Sequence, residues 1–336
     1  MKKIITFLAF VLLIACGGKE GKEKQDNSYM IPESTGRINH IIVVVEPQHW
    51  KGKIGKAFKE LIAEPMIGLP QPEFQFNIST IPPKAFNKMF QHSRNLLVLQ
   101  LSDKETFRTT KDKYAKPQTI VELKAATVDE LVALIASKGP EMIDVFKNED
   151  IKTIQKENRK NKIATKIKAL SGLGVKMDIP NKYRVVMDTL NSFMWMRSHI
   201  SGGIANGDQT NNLLAYEAPM FDDSKPVLEQ IIKNRDRVGK AYIRGNNVDK
   251  MYMITEAART PVVKEIRIDG KKAYETRGTW EVFGAFNAGP FLNYSIIDKK
   301  NNRVVVVEGF NYAPSVNKRD FMFELEAVLK TTTIKD

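Results

Sequence analysis

Glutamates at the ends of apolar strands are the residues in this sequence of 336 amino acids best suited to acid–base chemistry. The pentapeptides VVVEP and VVVEG place Glu46 and Glu308 after runs of valine, and Glu281 lies in TWEVF. Two carboxyl groups about 5–10 Å apart can share acid and base roles in glycoside hydrolysis. Glu281 and Glu308 are therefore catalytic candidates for a glycan hydrolase. The alternative is that such glutamates are solvated or paired with nearby basic residues.

Aromatic residues and glycines crowd the same C-terminal region. Aromatic faces beside glycines can line a groove for a glycan, a peptide or a lipid. An aromatic core in a twisted sheet, with glycines at bends and bulges, explains the same pattern. The groove hypothesis gives five candidate binding residues, namely Trp280, Phe283, Phe286, Tyr294 and Tyr312.

Other catalytic motifs are missing from the sequence. It contains no H-E-x-x-H, no G-x-S-x-G and no complete phosphate loop, and NGDQTNN does not have the residue order of a calcium loop. The histidines show no metal-binding spacing; they are His40, His49, His92 and His199. We therefore expect no metal site and no cofactor.

Cys16, the single cysteine, follows a short apolar segment near the N-terminus. Lys2 and Lys3 precede the apolar run Ile4–Ile14. A basic region followed by 7–15 apolar residues is typical of an export signal, and the run is shorter than the roughly 20 residues that span a bilayer. The tetrapeptide LIAC resembles the lipobox of bacterial lipoproteins, which implies that Cys16 is lipidated and becomes the first residue of the mature chain. An ordinary signal peptide with an incidental cysteine is the alternative.

The composition divides the chain into four segments. Residues 1–15 form the predicted lipoprotein signal peptide, and residues 16–36 form the lipidated cysteine and a linker rich in Gly, Lys and Glu. The remaining length is sufficient for a large core in two halves, which we place at residues 37–172 and 173–333. The sequence has no second apolar stretch long enough to cross a membrane.

The basic character of the sequence indicates an anionic partner or a solubilising surface. The formal net charge is +13, and Lys147–Lys168 carries eight basic residues against three acidic ones. One interpretation is a helix face that binds anionic phospholipid or acidic glycan. The alternative is a solvated helix side with isoleucines turned inward. An exported protein rarely meets nucleic acid, so we expect no nucleic-acid partner.

Hydrophobic periodicity predicts alternating strands and helices in the first half. HIIVVVEP, EFQFNIST, NLLVLQL and PQTIVELKA are typical of strands, and helices are predicted over Lys51–Glu64 and after Pro82. Thr127 and Glu130 form a capping box for a largely helical stretch to about Ala169, which could break near Asn148.

Consecutive strands dominate the predicted second half. Strands are expected near Tyr183–Met187, Phe193–His199 and Asn212–Tyr216, and again near 272–283, 291–297 and 303–310. Helices are expected from about Ser224 and from Asn317. The predicted fold is α+β, mainly antiparallel sheets with packed helices in two halves.

Three stretches resemble a Bacteroidota lipoprotein family known only as a domain of unknown function, DUF4837. They are IPPKAFNKMF (Ile81–Phe90), RGTWEVFGAFNAGPFLNYSIID (Arg277–Asp298) and NRVVVVEGFNYAPSVNKRDFMFELEAVL (Asn302–Leu329). The similarity is expected to run from about Gly36 to Thr333. It implies an exported cell-envelope lipoprotein and supplies no activity or catalytic residue.

The sequence as a whole favours a membrane-anchored envelope lipoprotein that binds or scaffolds a partner without catalysis. Its membrane contact would be the lipid on Cys16, and its partner an envelope glycan, a peptide or a protein. We expect it on the outer membrane facing the periplasm, with the cell surface as an alternative location. The competing hypothesis is an envelope glycan hydrolase that uses Glu281 and Glu308.

Overall fold

The computed structural model describes residues 31–190, 192–201, 207–247 and 249–335. Cys16, the predicted signal peptide and most of the predicted linker lie outside the described residues. Within the described ranges, no helix combines the length and the apolar character needed to cross a bilayer.

The N-terminal half is built on a sheet with five strands among the described residues. These are β1 (His40–Val44), β2 (Asn77–Ile81), β3 (Asn95–Leu101), β4 (Thr106–Lys111) and β5 (Thr119–Ala125). Their order is β2-β1-β3-β5-β4. All neighbours pair in parallel except β4, which runs antiparallel to β5. Helical segments lie between β1 and β2 and between β2 and β3, and a helical crossover returns the chain in the same direction. Strands β3 and β5 are parallel because the chain between them runs back through the edge strand β4.

The helices of this half are α1 (Pro47–Lys51), α2 (Lys53–Ile62), α3 (Lys88–Gln91) and α4 (Val128–Lys160). Helices α2 and α4 bury their apolar sides on one face of the first sheet. The predicted capping box is present, since Thr127 accepts from the Glu130 amide and the Glu130 side chain accepts from the Thr127 amide. Helix α4 continues through Asn148 without a break and ends at Lys160, well before the predicted Ala169.

The C-terminal half is an antiparallel sheet flanked by helices. Its elements are α5 (Lys168–Leu173), β6 (Val175–Lys176), β7 (Arg184–Asp188), β8 (Phe193–Ser201), β9 (Asp208–Pro219), α6 (Val227–Tyr242), β10 (Tyr252–Thr255), β11 (Val262–Ile268), β12 (Lys271–Phe283), β13 (Ala288–Asp298), β14 (Arg303–Tyr312), α7 (Arg319–Leu329) and β15 (Thr333–Ile334). The large sheet has the order β10-β12-β13-β14-β9-β8-β7, and β11 pairs with the other end of β12. Strands β6 and β15 pair with each other.

The two faces of the large sheet bury separate cores. Trp280, Phe291 and Phe310 lie on the face covered by α6, where Val238 belongs to the same cluster. Residues of opposite parity, such as Tyr294, pack on the other face with Leu325 and its neighbours from α7. This alternation follows from the two-residue period of a strand.

The α+β class is confirmed, with a difference between the halves. The C-terminal sheet is antiparallel, as expected from consecutive strands with tight turns, whereas the N-terminal sheet is mainly parallel. β-branched runs such as HIIVV are buried on both faces in such a sheet and show little alternation. The alternation in EFQFNIST predicted a strand beginning at Glu73, but β2 covers only Asn77–Ile81.

The two halves meet where α4 packs against α7. Ile151, Phe323 and Ala327 form a shared apolar cluster. The carboxylate of Glu73, from the loop before β2, accepts hydrogen bonds from the backbone amides of Lys318 (2.7 Å) and Arg319 (3.0 Å). Because amides at a helix start lack intrahelical partners, this carboxylate fixes the start of α7 to the N-terminal half.

Candidate functional site

Glu308 is sealed inside the C-terminal half. Its side chain is 0% exposed, and its two oxygens accept from Arg235 Nε (3.0 Å) and Asn293 Nδ2 (2.9 Å). Burial raises the pKa of Glu308, and Arg235 and Asn293 oppose that effect. A raised pKa suits a general acid, but a carboxyl group without solvent access has no route to a substrate.

Glu281 and Glu308 are not brought together. Glu281 pairs with Ala288, and Glu308 pairs with Asn293 two strands away. Ala288 and Asn293 are five residues apart on β13, an odd number, so the two glutamates lie on opposite faces of the sheet. Their backbones are roughly 19 Å apart, from about 3.3 Å per residue and 4.8 Å per strand. This arrangement is far from the pair of carboxyls in one cleft that the hydrolase hypothesis requires. The third strand-end glutamate, Glu46, precedes α1 in the other half.

The five candidate aromatic residues do not form one groove. Trp280 is buried against α6, with Tyr312 packed beside it, whereas Tyr294 is buried on the opposite face. Phe283 is half exposed and stacks on Tyr252 with ring centroids 5.2 Å apart. Phe286 is fully exposed in the connection between β12 and β13. Trp280, Tyr294 and Tyr312 thus follow the core alternative, and their positions explain the clustering in the sequence.

A cleft of about 370 Å³ lies between the two halves. The loop at residues 64–67, helix α4, strands β11 and β12 and helix α7 all contribute to its lining. This volume falls within the usual range for small-molecule sites, about 300–1,000 Å³. The polar lining of the cleft includes Asn39, Lys147, Arg277, Glu326 and Lys330.

An ion network forms one wall of this interhalf cleft. Arg277 donates to Glu275 Oε1 (2.8 Å) and to Glu326 Oε2 (2.7 Å), and Lys330 Nζ lies 2.7 Å from Glu326 Oε1. Burial alone would raise the pKa of Glu326, but Arg277 and Lys330 outweigh burial and lower it to about 2. Glu326 therefore remains ionised at physiological pH and cannot act as a general acid.

Lys147 projects from α4 into the same cleft, but unlike Arg277 and Lys330 it is not paired with a carboxylate in the described chain. Its ammonium donates to Gln75 Oε1, a neutral oxygen. In the part of the chain that the structure describes, it forms no ion pair with a carboxylate. Burial lowers the pKa of Lys147; Glu326 opposes this effect, and Arg277 adds to it. Partial burial of a cation with no paired anion has a desolvation cost, and an anionic ligand group would lower that cost.

Asn39 adds an unused hydrogen-bond acceptor to the cleft. The residue is 1% exposed; its backbone amide donates to Asp150 and its Nδ2 donates to Asp320. Its Oδ1 is buried without a hydrogen-bond partner. The cleft therefore combines an unpaired cation with an orphan acceptor, a pair that fits a ligand carrying both an anion and a hydroxyl group.

The basic segment Lys147–Lys168 is not one continuous face. Lys147 lines the cleft, whereas Lys152 and Lys156 line a separate pocket, and Lys160 pairs with Glu157 at 2.8 Å. Helix α4 ends at Lys160, so the later lysines belong to a connecting loop and to α5. Charge counting identified the segment but could not divide it between two sites.

The cleft residues beyond Lys147 were not among the sequence candidates. Glu326 and Lys330 have the i, i+4 spacing of a helical ion pair. Glu275 and Arg277 are two residues apart on one strand, which places them on the same face. These local patterns are visible in the sequence, but they do not reveal that the two pairs meet. Among the described residues, no group of three or more His, Cys, Asp or Glu side chains could hold a metal ion.

Two family models together cover almost all of the described chain. A domain of unknown function (DUF4837) matches residues 160–331. The chain belongs to the DUF4837 family. A second domain of unknown function (DUF8532) matches residues 34–159. The region expected to resemble DUF4837, from about Gly36, was thus too long, because the first part of it, including Ile81–Phe90, matches DUF8532 instead. No curated protein matches the chain.

Similarities to solved structures are weak. LpqN, involved in cell envelope biogenesis of Mycobacterium tuberculosis, has 11% identity, covering 48% of this chain and 83% of its own, with a TM-score of 0.30. The match to the Ran-binding protein Mog1p of Saccharomyces cerevisiae has 9% identity and a TM-score of 0.32, and it covers 50% of this chain and 93% of Mog1p. The match to PsbP (CyanoP) from Synechocystis has 9% identity and a TM-score of 0.23, and it covers 46% of this chain and 93% of PsbP.

Proposed function

We propose that this protein is a membrane-tethered, non-catalytic binding protein of the cell envelope whose interhalf cleft takes an acidic sugar unit of an envelope glycan. The observation that carries the proposal is Lys147, a partly buried cation in a polar cleft; in the described chain this lysine has no ion-paired carboxylate. A sugar carboxylate would supply the missing counter-charge. Hydrogen bonds to charged groups contribute about 1.5–3 kcal/mol, enough to give the site a preference for anions.

The neighbouring amides support a sugar as the bearer of that carboxylate. Asn39 Oδ1 is an orphan acceptor, and the side chains of Gln75 and Asn148 also line the cleft. Sugar hydroxyl groups donate and accept hydrogen bonds, so one sugar ring can satisfy such amides while its carboxylate meets Lys147. Apolar side chains such as Phe323 and Ile67 complete the lining and can cover the CH groups of a ring.

The state of the carboxylates supports the non-catalytic part of the proposal. Glu326 is held ionised, and Glu308 is sealed away from solvent. The envelope location and the tether rest on the sequence around Cys16, where an apolar run leads into LIAC. We place the protein on the outer membrane facing the periplasm, with the cell surface as the alternative location, and Bacteroidota as the source phylum.

The test is titration of the protein with D-glucuronate, followed by calorimetry, for the wild type and Lys147→Met. We expect the variant to lose at least about tenfold in affinity, because 1.4 kcal/mol corresponds to a factor of ten and a charged hydrogen bond exceeds that. Folding should not suffer. A lysine whose pKa is lowered by folding weakens the folded state below that pKa, so its removal should leave the free energy of unfolding unchanged or higher.

Lys160→Met is the matched control, because Lys160 lies on the same helix and pairs with Glu157 outside the cleft. It should bind glucuronate like the wild type, and D-glucose should bind weakly to all three proteins. Equal affinity of wild type and Lys147→Met for glucuronate would refute the site. Tighter, Lys147-dependent binding of a tripeptide with a free carboxyl end would reassign the ligand to a peptide.

A further inference from the structure

A second pocket, of about 220 Å³, lies at the amino ends of β3 and β5. It is lined on one side by the residues around Asn95 and Thr119 and on the other by the middle of α4. Five basic side chains surround it, against three acidic ones. We call this the basic pocket; its cations are Arg94, Lys111, Lys116, Lys152 and Lys156.

Ion pairs within the basic pocket use only some of these cations. Glu149 forms ion pairs with both Lys111 (3.2 Å) and Lys152 (2.8 Å), and Asp112 forms one with Lys116 (3.5 Å). Across the described ranges, Arg94 and Lys156 form no ion pair with a carboxylate, and Arg94 Nε is buried without a hydrogen-bond partner. Two cations are thus available to an external anion.

Two buried acceptors also lack partners in the basic pocket. Asp150 is 1% exposed and Asn95 is 2% exposed. Asp150 Oδ2 accepts from Asn95 Nδ2 (3.0 Å) and from the Asn39 amide (2.8 Å), but Asp150 Oδ1 and Asn95 Oδ1 have no hydrogen bond. Buried acceptors of this kind require a donor. A ligand that carries an anion and, next to it, hydroxyl groups would meet both the free cations and these acceptors.

The chain enters the fold from its N-terminal side directly beside this pocket. The carbonyl of Pro32 accepts from the Lys116 amide (2.8 Å), and the carbonyl of Thr35 accepts from the Arg94 amide (2.9 Å). Both partners line the basic pocket. Sixteen positions separate Cys16 from Pro32, which limits their separation to at most about 55 Å, from 3.3–3.6 Å per residue. A lipid on Cys16 would keep this face within reach of the bilayer.

We infer that the basic pocket binds the headgroup of an anionic phospholipid of the phosphatidylglycerol type, so that this face of the N-terminal half lies against the membrane. The phosphodiester meets Arg94 and Lys156, and the headgroup glycerol donates hydroxyl groups to Asp150 Oδ1 and Asn95 Oδ1. The inference rests on the proposed tether, which supplies the proximity, but the pocket is distinct from the cleft around Lys147.

The test is sedimentation with vesicles of phosphatidylcholine alone or mixed with phosphatidylglycerol. The mature chain, residues 16–336, with Cys16→Ser is used, so that neither the apolar segment Ile4–Ile14 nor an acyl chain contributes to binding. We expect binding only to the phosphatidylglycerol vesicles and a decrease of about thirtyfold for Arg94→Gln/Lys156→Gln, since each basic residue at an anionic surface contributes a factor of about five. Lys156→Gln alone changes an exposed position and should lower the affinity for phosphatidylglycerol vesicles about fivefold. This single variant tests the inference even if Arg94 is needed for folding.

Lys299→Gln/Lys300→Gln is the matched control, because it removes the same charge from an exposed turn in the other half. Its binding should stay within about twofold of the parent chain, as expected for charges remote from the contact. An equal loss in the control pair would show that net charge alone drives binding, and the inference would be overturned. Binding of soluble glycerol phosphate without binding to vesicles would assign the pocket to a free phosphoester and overturn the membrane contact.

Failure of the proposed tether or of the proposed cleft ligand can be distinguished from failure of the headgroup site. The tether is tested separately by labelling wild type and Cys16→Ser with radioactive palmitate, and the cleft by the glucuronate titration. Vesicle binding of the Cys16→Ser chain requires neither result, so an unlabelled wild type with intact phosphatidylglycerol binding would leave the headgroup site supported while removing the lipid anchor.

Discussion

Two arginines on opposite faces of the large antiparallel sheet hold buried carboxylates in contrasting surroundings. Arg235 reaches from α6 to Glu308 and is covered on every side, with a side chain 2% exposed. Arg277 lies on β12 and binds Glu275 and Glu326 along the wall of the cleft between the halves. The same chemical pair therefore serves as internal structure on one face and as the lining of a site on the other.

The Arg235 network is closed. Its guanidinium carbon lies 3.9 Å from the ring centroid of Phe291, and its Nη1 donates to Thr255 Oγ1 at 3.1 Å. Asn293 occupies the second oxygen of Glu308. With the described groups satisfied by one another, nothing in this network is left for a ligand, and its role is to fix α6 on the sheet.

The Arg277 network has a neighbour that it does not satisfy. Glu326 is already shared between Arg277 and Lys330, so Lys147 across the cleft remains without an ion-paired carboxylate in the described chain. The difference teaches that a buried ion pair alone does not mark a site. The marker is an unmatched charge next to a pair that is already satisfied.

The largest effect is expected for Arg235→Met, which leaves Glu308 buried without its cation. Removing one partner of a buried pair usually costs about 3–5 kcal/mol of stability. We expect a loss of this size in urea denaturation at neutral pH, and a smaller loss in acid, where Glu308 is neutral both folded and unfolded.

The double variant Arg235→Met/Glu308→Leu is the control, since replacing a whole buried pair by apolar residues is often neutral. It should recover most of the stability. If the double variant were as unstable as the single one, the contribution of Arg235 would be packing on Phe291 rather than charge compensation, and the comparison of the two networks would fail.

An intermediate, pH-dependent effect is expected for Glu326→Gln. Folding lowers the pKa of Glu326 from 4.5 to about 2, so the ionised form stabilises the fold by about 3 kcal/mol above pH 4.5. That contribution should disappear as the pH falls from 4.5 towards 2. Unfolding free energies of wild type and variant should therefore differ at pH 6 and converge near pH 2.

Glu324→Gln provides the comparison on the same helix. Glu324 pairs with Lys182 at the surface, where its side chain is 36% exposed, and surface pairs contribute about 1 kcal/mol or less. A Glu324→Gln loss as large as that of Glu326→Gln would mean that the cleft wall behaves as ordinary surface, and a pH-independent difference for Glu326→Gln would exclude the ionised carboxylate as its cause.

Local patterns in the sequence predicted much of the fold. The Thr127–Glu130 capping box, the valine run of β14 and the amphipathic pattern of α2 each depend on residues close together in the chain. The parallel order of the first sheet could not be derived in this way, because it depends on which crossover places β1 between β2 and β3.

The candidate site was less predictable for the same physical reason. Lys147, Arg277 and Glu326 come from three elements that meet only after α4 packs on α7. Residue type suggested that Glu308 could do chemistry, but its partner Arg235 is 73 positions away and removes it from solvent. Composition identified the basic segment, whereas only the fold shows that Lys147 and Lys156 serve different pockets.

The smallest effect is expected for Lys330→Met, and it distinguishes the two networks most sharply. Lys330 is about one-third exposed, and Glu326 keeps Arg277 when this lysine is lost. The loss of stability should be about 0.5 kcal/mol and should shrink in high salt, because partly exposed pairs are screened. Denaturation at low and high salt measures both. Since Lys330 also lines the cleft, a loss of several kcal/mol that salt does not change would mean that this wall is as closed as the Arg235 network, leaving Lys147 no accessible site beside it.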